Sequence, residues 1–315
     1  MPAIRLLTQE HHLLPSDFVH PIFLIDGEKR REPILKMPGV DRLTLDLLLE
    51  ECQELHQKGI TSIALFPVIH KSLKDDIGSE AYKEEGLMPK AIRKIKQELP
   101  SLCVIADIAL DPFTSHGHDG IIKGERIDND LTVDALCKQA LNYAQAGVDM
   151  VAPSDMMDGR VKAIRKSLDL QGFNDINILS YTAKYASSLY FPFRDAIQTK
   201  LQFGDKKTYQ MNPANVREAL LEAFLDHEEG ADMLMVKPAS LYLDVISQIK
   251  QKLHLPIAAY HVSGEYAMVM AAEEKGFLNA EQTFYETLIS IKRAGADIIF
   301  TYALKHILHK LHPHI

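Results

Sequence analysis

Cysteine is scarce in this chain. The 315 residues include three, Cys52, Cys103 and Cys137, scattered and odd in number. That argues against a disulfide framework or a cysteine-zinc cluster and leads us to expect a reducing, cytoplasmic setting. Long hydrophobic runs are missing too. None approaches the ~20 apolar residues that a membrane-spanning helix needs. The opening MPAIRLLTQEHHLLPSDF has no signal-peptide stretch, so no membrane partner is expected. No basic block offsets the formal net charge of -8, which speaks against a nucleic-acid partner. No low-complexity linker or clear domain boundary breaks the chain.

What remains is patterned. With 46% apolar residues the chain can bury a large core. Eight short apolar runs recur: 19–24, 62–68, 102–110, 149–154, 176–182, 232–239, 256–263 and 297–303. Each is continuous rather than alternating, as in strands buried on both faces. Helix-like segments such as LTLDLLLEECQELHQK and PANVREALLEAFLDHEE lie between them. Several of these end in a glycine that leads straight into a strand, as in QAGVDMV, EEGADMLM and RAGADII. Eight strand–helix units predict an α/β fold, a (β/α)8 TIM barrel, which typically needs ~250 residues. The expected organisation is a short N-terminal arm over residues 1–16 and a single catalytic barrel over 17–315. A doubly wound open sheet is the alternative, weakened because no glycine-rich phosphate loop follows the first strand.

A barrel carries its active site at the C-terminal ends of its strands. Six of the runs end there in polar groups: Asp107, Ser154 with Asp155, Thr182 with Lys184, Lys237, Ser263 and Tyr302. Lys237 leaves the apolar MLMV, and a lysine desolvated in such surroundings becomes a neutral amine that attacks ketones. Position alone also permits a lysine snorkelling at a strand end. Lys184 is a second lysine just past a strand, and two lysines facing one pocket would depress each other's pKa. One reactive lysine would suggest a class I aldolase. Two suggest two carbonyl substrates, or a nucleophile and a proton shuttle. Arg194, Lys206, Lys207 and Gln210 suit a carboxylate clamp. Ser263 and Tyr302 suit a second one. DIALDPFTSHGHDG, with His116 and His118, superficially fits a zinc hydrolase, but only His261 stands in a comparable place on another strand. Its glycines, Gly117 and Gly120, read more as a lid than as a ligand cage.

The motifs SYTAKYASSLYFPFRDA, TYQMNPAN, MLMVKPASLYLDVI, AYHVSGEYAM and RAGADIIFTY, together with APSDMMDGRV and DIALDPFTSHGHDG, closely resemble the delta-aminolevulinic acid dehydratase (porphobilinogen synthase) family. The resemblance runs from about Leu14 to Leu311. It implies a hydro-lyase of tetrapyrrole (heme) biosynthesis that condenses two 5-aminolevulinate molecules into porphobilinogen, with no organic cofactor. By motif, Lys237 and Lys184 are the Schiff-base lysines of the P-side and A-side substrates. Ser263 and Tyr302 bind the P-side carboxylate. Arg194, Lys206 and Gln210 bind the A-side carboxylate. Asp107, Ser154 and Asp155 line the amino-group side, and Tyr190 and Phe193 form pocket walls. Where zinc-dependent members have three cysteines, this chain has Ala109, Asp111 and Asp119. That implies no catalytic zinc, with Asp111 and Asp119 as candidate ligands for Mg2+ or a monovalent cation. Glu222 matches the glutamate that holds an allosteric Mg2+ through water. A homo-octamer is the family's assembly. Phe191 departs from the family by standing in place of a glycine.

Overall fold

The computed structural model describes residues 2–311. All eight apolar runs are strands: β1 (Phe18–Leu24), β2 (Ser62–Pro67), β3 (Cys103–Ile108), β4 (Met150–Pro153), β5 (Asn177–Lys184), β6 (Met233–Lys237), β7 (Ile257–His261) and β8 (Ile298–Thr301). Each pairs in parallel with its neighbour in chain order. β1 closes on β8 through Phe18 with Ile299 and Val19 with Phe300. Closure leaves no free edge, and it explains the unbroken hydrophobicity: one face of each strand fills the barrel and the other meets the helices. In β1 all seven residues are buried.

The helices are α1 (Pro2–Leu7), α2 (Leu45–Gln57), α3 (Leu87–Glu98), α4 (Asn129–Gln145), α5 (Arg160–Leu170), α6 (Phe191–Ala196), α7 (Arg217–Glu228), α8 (Leu243–Lys252), α9 (Ser263–Glu274), α10 (Ala280–Ala294) and α11 (Leu304–Ile307). α3 shows the common pattern, burying Met88, Ala91, Ile92 and Ile95 along one stripe. α4 and α10 start on side-chain caps, Asp128 accepting from Leu131 N–H and Asn279 from Gln282 N–H. α1 occupies the N-terminal arm, where Leu6 and Leu7 are exposed.

The Gly-x-Asp that follows three helices is a structural device. Asp149, Asp232 and Asp297 each accept the N–H of the residue that opens or nearly opens a neighbouring strand: Val104, Ile178 and Ile257, all at 2.8 Å. Lys96 and Lys250 add charge to two of them. Gly295 must remain glycine, because its φ is +118° and a Cβ would lie 2.9 Å from Lys250 Cγ. These contacts tie together the N-terminal end of the barrel and leave the other end free for chemistry.

A short hairpin, Arg31–Pro33 with Asp41–Leu43, continues beside the end of β1. From it the buried Arg42 donates to the carbonyls of Ala196 at 2.6 Å and Asp195 at 2.8 Å. That caps α6, the helix carrying Phe193 and Arg194, and fixes it over the mouth of the barrel.

Candidate active site

β3, β5 and β6 deliver Asp107, Lys184 and Lys237 to one small cavity at the C-terminal rim. Asp111, Ser154, Tyr190, Phe193, Arg194, Lys206 and Gln210 complete it with Phe66. The free space is about 20 Å³, room for roughly one water molecule. The segment 198–210, which carries Lys206 and Gln210, covers this side of the cavity.

One half of the cavity is ionic. Lys206 Nζ is held between Asp111 Oδ2 at 2.9 Å and Asp119 Oδ2 at 2.7 Å. Lys184 Nζ donates to the Ser154 carbonyl and lies 3.4 Å from Asp119 Oδ1. Tyr209 donates its hydroxyl to Asp119 at 2.8 Å. Burial pushes the Asp119 carboxyl up, but Lys184 and Lys206 outweigh it and hold it well below the usual range. Lys206 shows the reciprocal effect: burial lowers it, and Asp111 and Asp119 more than restore it, so it stays charged.

The other half is aromatic. Lys237 Nζ lies 4.3 Å from the ring centroid of Tyr260, 5.0 Å from Tyr181, 5.1 Å from Phe193 and 5.4 Å from Tyr190. Among the described residues no carboxylate forms an ion pair with it. Burial, helped by repulsion from Lys184, lowers Lys237 to about 7. A large fraction is therefore neutral near pH 7, as nucleophilic attack requires. Asp107 stands between the halves. Burial and the nearby Asp111 raise it to about 7, and its Oδ1 has no hydrogen-bond partner among the described residues. A carboxyl in that state can accept or return a proton near neutral pH.

Four residues expected to face substrate, Ser263, Tyr302, Asp155 and Lys207, stand outside the cavity wall. Ser263, at the start of α9, accepts from Phe193 N–H at 3.0 Å and donates to the Leu189 carbonyl at 3.2 Å. It braces the segment that carries Tyr190 and Phe193. Tyr302 shares a 2.9 Å hydrogen bond with Tyr260 and stacks on Phe23. Asp155 faces away, toward Arg160 at 3.5 Å, and burial raises it to about 6. Lys207 is exposed beside Asp205, unlike its buried neighbour Lys206. Glu222 is half-buried on α7, beyond the cavity.

The histidine pair also looks different in place. The stretch around His116 and His118 is buried and serves as the seat of the covering segment rather than as the cover itself. Gln202 N–H donates to the His116 carbonyl at 3.2 Å, and His118 bonds Tyr209 and the Phe203 carbonyl, both at 3.1 Å. Gly117 has φ +77°, and a Cβ there would lie 2.8 Å from the Lys200 carbonyl. Among the described residues, no three His, Cys, Asp or Glu side chains gather as a metal cage. Phe66, Tyr181, Tyr209 and Tyr260 also face this site, and the sequence barely marks them. Their one signal is an aromatic ring on an inward-facing strand position or beside a charged loop residue, and most such rings are simply core.

The chain is similar to known proteins over almost its whole length. The family model for delta-aminolevulinic acid dehydratase matches residues 1–310. The delta-aminolevulinic acid dehydratase of Chlamydia pneumoniae is 52% identical over 98% of this chain and 93% of its own length. The chloroplastic one of Physcomitrium patens is 52% identical over 96% of this chain and 70% of its own. A crystal structure of the Toxoplasma gondii ME49 enzyme, in complex with the reaction product porphobilinogen, superposes with a TM-score of 0.96. It is 50% identical and is matched over 98% of this chain and 89% of that one.

Proposed function

The chain belongs to the delta-aminolevulinic acid dehydratase family, and from that premise we propose that Lys237 and Lys184 divide the reaction between them. The reaction condenses two 5-aminolevulinate molecules to porphobilinogen with loss of two waters, through lysine Schiff bases. Lys237, the neutral amine of the aromatic half, attacks the ketone of the P-side substrate, whose oxygen leaves as water. Lys184, in the ionic half, does the same for the A-side substrate. One protonated imine loses a proton from the adjacent carbon and, as the enamine, attacks the other to form the carbon–carbon bond. Elimination frees the lysine at the attacked carbon, and a substrate amino group displaces the other lysine to close the ring. Asp107 handles protons between them. Lys206, Arg194 and Gln210 take the A-side carboxylate, and Ser263 and Tyr302 the P-side one, Ser263 by turning its hydroxyl from the Leu189 carbonyl and Tyr302 by donating while it accepts from Tyr260. Ser154 faces the amino groups from the cavity wall, with Asp155 behind it, turned to Arg160. The observation carrying this reading is the pair of buried lysines in one cavity, one of them lowered to about 7. Borohydride reduction with 5-aminolevulinate should leave adducts on Lys237 and Lys184. Absence of an adduct on Lys237 overturns the assignment.

The reading extends to metal use. At the positions of the zinc cysteines stand Ala109, which has no donor atom, and two aspartates, hard oxygen donors already engaged by Lys206. That set does not fit catalytic zinc, and no step is assigned to a metal there. A monovalent cation of ammonium-like charge is the ion those carboxylates would take. Glu222 fits a hydrated Mg2+. Burial raises its carboxyl, and Asp226, Asp158 and Glu218 raise it further against the opposing pull of Arg160, a net repulsion a divalent cation relieves. Activity should survive 1,10-phenanthroline and rise with Mg2+, and Glu222→Gln should remove the Mg2+ response. The proposal includes a homo-octamer, supported by the apolar side chains that α1 and α7 leave exposed, Leu6, Leu7, Leu221 and Phe224. It includes a cytoplasmic location, supported by three unpaired cysteines. Light scattering and fractionation check these two points.

A further inference from the structure

We propose that Tyr260 is a further catalytic residue, whose ring face stabilises the cationic imine formed at Lys237. Of the four rings around Nζ, Tyr260 is nearest, with its centroid at 4.3 Å. The ring has little freedom. It is 1% exposed, packs on Phe300 with centroids 5.3 Å apart, and ties its hydroxyl to Tyr302 at 2.9 Å.

The chemistry explains why a ring suits this position better than a carboxylate. The step is R–NH2 + R′2C=O + H+ → R–NH+=CR′2 + H2O. The amine nitrogen gains a bond to carbon, the ketone oxygen leaves as water, and nitrogen becomes positive while keeping a single N–H. A carboxylate beside Nζ would hold the free lysine charged and unreactive, as Asp111 and Asp119 do for Lys206. An aromatic face attracts a cation more weakly than a carboxylate does. It lets the free amine lose its proton, and it still favours the iminium, which has lost two of the N–H donors that other partners would use.

The inference rests on Lys237 forming the imine, and the experiment separates the two. Position 260 is replaced by phenylalanine and then by its mono-, di- and trifluorinated analogues, which keep ring shape while draining the π face. Imine formation at Lys237 is read at about pH 8 with 4-oxopentanoate, the substrate skeleton without its amino group, by borohydride trapping and peptide mass spectrometry. The imine equilibrium should fall stepwise along the series, by about tenfold overall, with the melting temperature unchanged. Equal trapping across the series overturns the role of the ring. Absence of any Lys237 adduct in the unaltered protein instead overturns the assignment of Lys237.

Discussion

The two halves of the cavity treat the same residue type in opposite ways. Lys206 sits between two carboxylates and stays charged. Lys237, also buried, meets four rings and forms no ion pair among the described residues, and is lowered to about 7. Burial costs each ammonium its hydration. The ionic half returns that loss in full through Coulomb attraction at low dielectric, whereas Asp107, Asp111 and Asp119 return only part of it to Lys237. The difference separates roles: a fixed cation suits holding a carboxylate, and a lysine poised near neutrality suits attacking a ketone. Lys184 belongs to the ionic half, on Asp119 and the Ser154 carbonyl, and is the strand-register neighbour of Lys237.

Each half can be broken separately. The largest effect is expected from Lys237→Met, which removes the nucleophile. Porphobilinogen formation should fall by at least about ten-thousand-fold, while Lys184 remains available for trapping. Asp119→Ala attacks the ionic half by leaving Lys184 and Lys206 short of a counter-ion. Loss of one partner of a buried pair costs about 3–5 kcal/mol, and thermal unfolding measures it. If stability does not change, the ionic half is not the closed network described here.

The third experiment tests the coupling between halves. Burial depresses Lys237 most, and the charge on Lys184 depresses it further. In the unaltered protein, kcat/KM should therefore rise as pH passes about 7 and Lys237 loses its proton. Lys184→Met removes the repulsion, so trapping at Lys237 should need a higher pH. An unchanged pH dependence would mean that the lysines do not face each other. The smallest effect is expected at Lys207, whose partner Asp205 is an exposed neighbour. Lys207→Ala should leave activity within about twofold, whereas Lys206→Ala should raise KM for 5-aminolevulinate.

Much of the barrel was legible because its signal is local. A strand covered on both faces must be apolar throughout, and a helix that turns at once into a strand needs a left-handed residue, which glycine supplies. The runs at 19–24 and 232–239 accordingly fall on β1 and β6. Lysines and carboxylates at strand ends were legible for the same reason, since the barrel rule assigns those ends to one rim. Orientation was not. Asp155 follows Ser154 directly, yet Ser154 lines the cavity and Asp155 turns to Arg160. Lys206 and Lys207 are adjacent and alike in sequence, and one is buried while the other is exposed. The hydroxyls of Ser263 and Tyr302 are engaged by the protein in this conformation. The histidine pair, prominent in sequence, turned out to brace the covering segment.

The sequence by itself determined that eight strands form, where they end, and which ionisable groups those ends present. Hydrophobic burial and backbone sterics act over a few residues and leave their marks in order along the chain. Only the tertiary structure decided that Tyr181, Tyr190, Phe193 and Tyr260 surround Lys237 while Asp111 and Asp119 clasp Lys206. Those contacts join strands and loops far apart in sequence. The reactivity of a buried amine depends on which groups replace its water, and barrel closure together with the fold of the covering segment makes that choice.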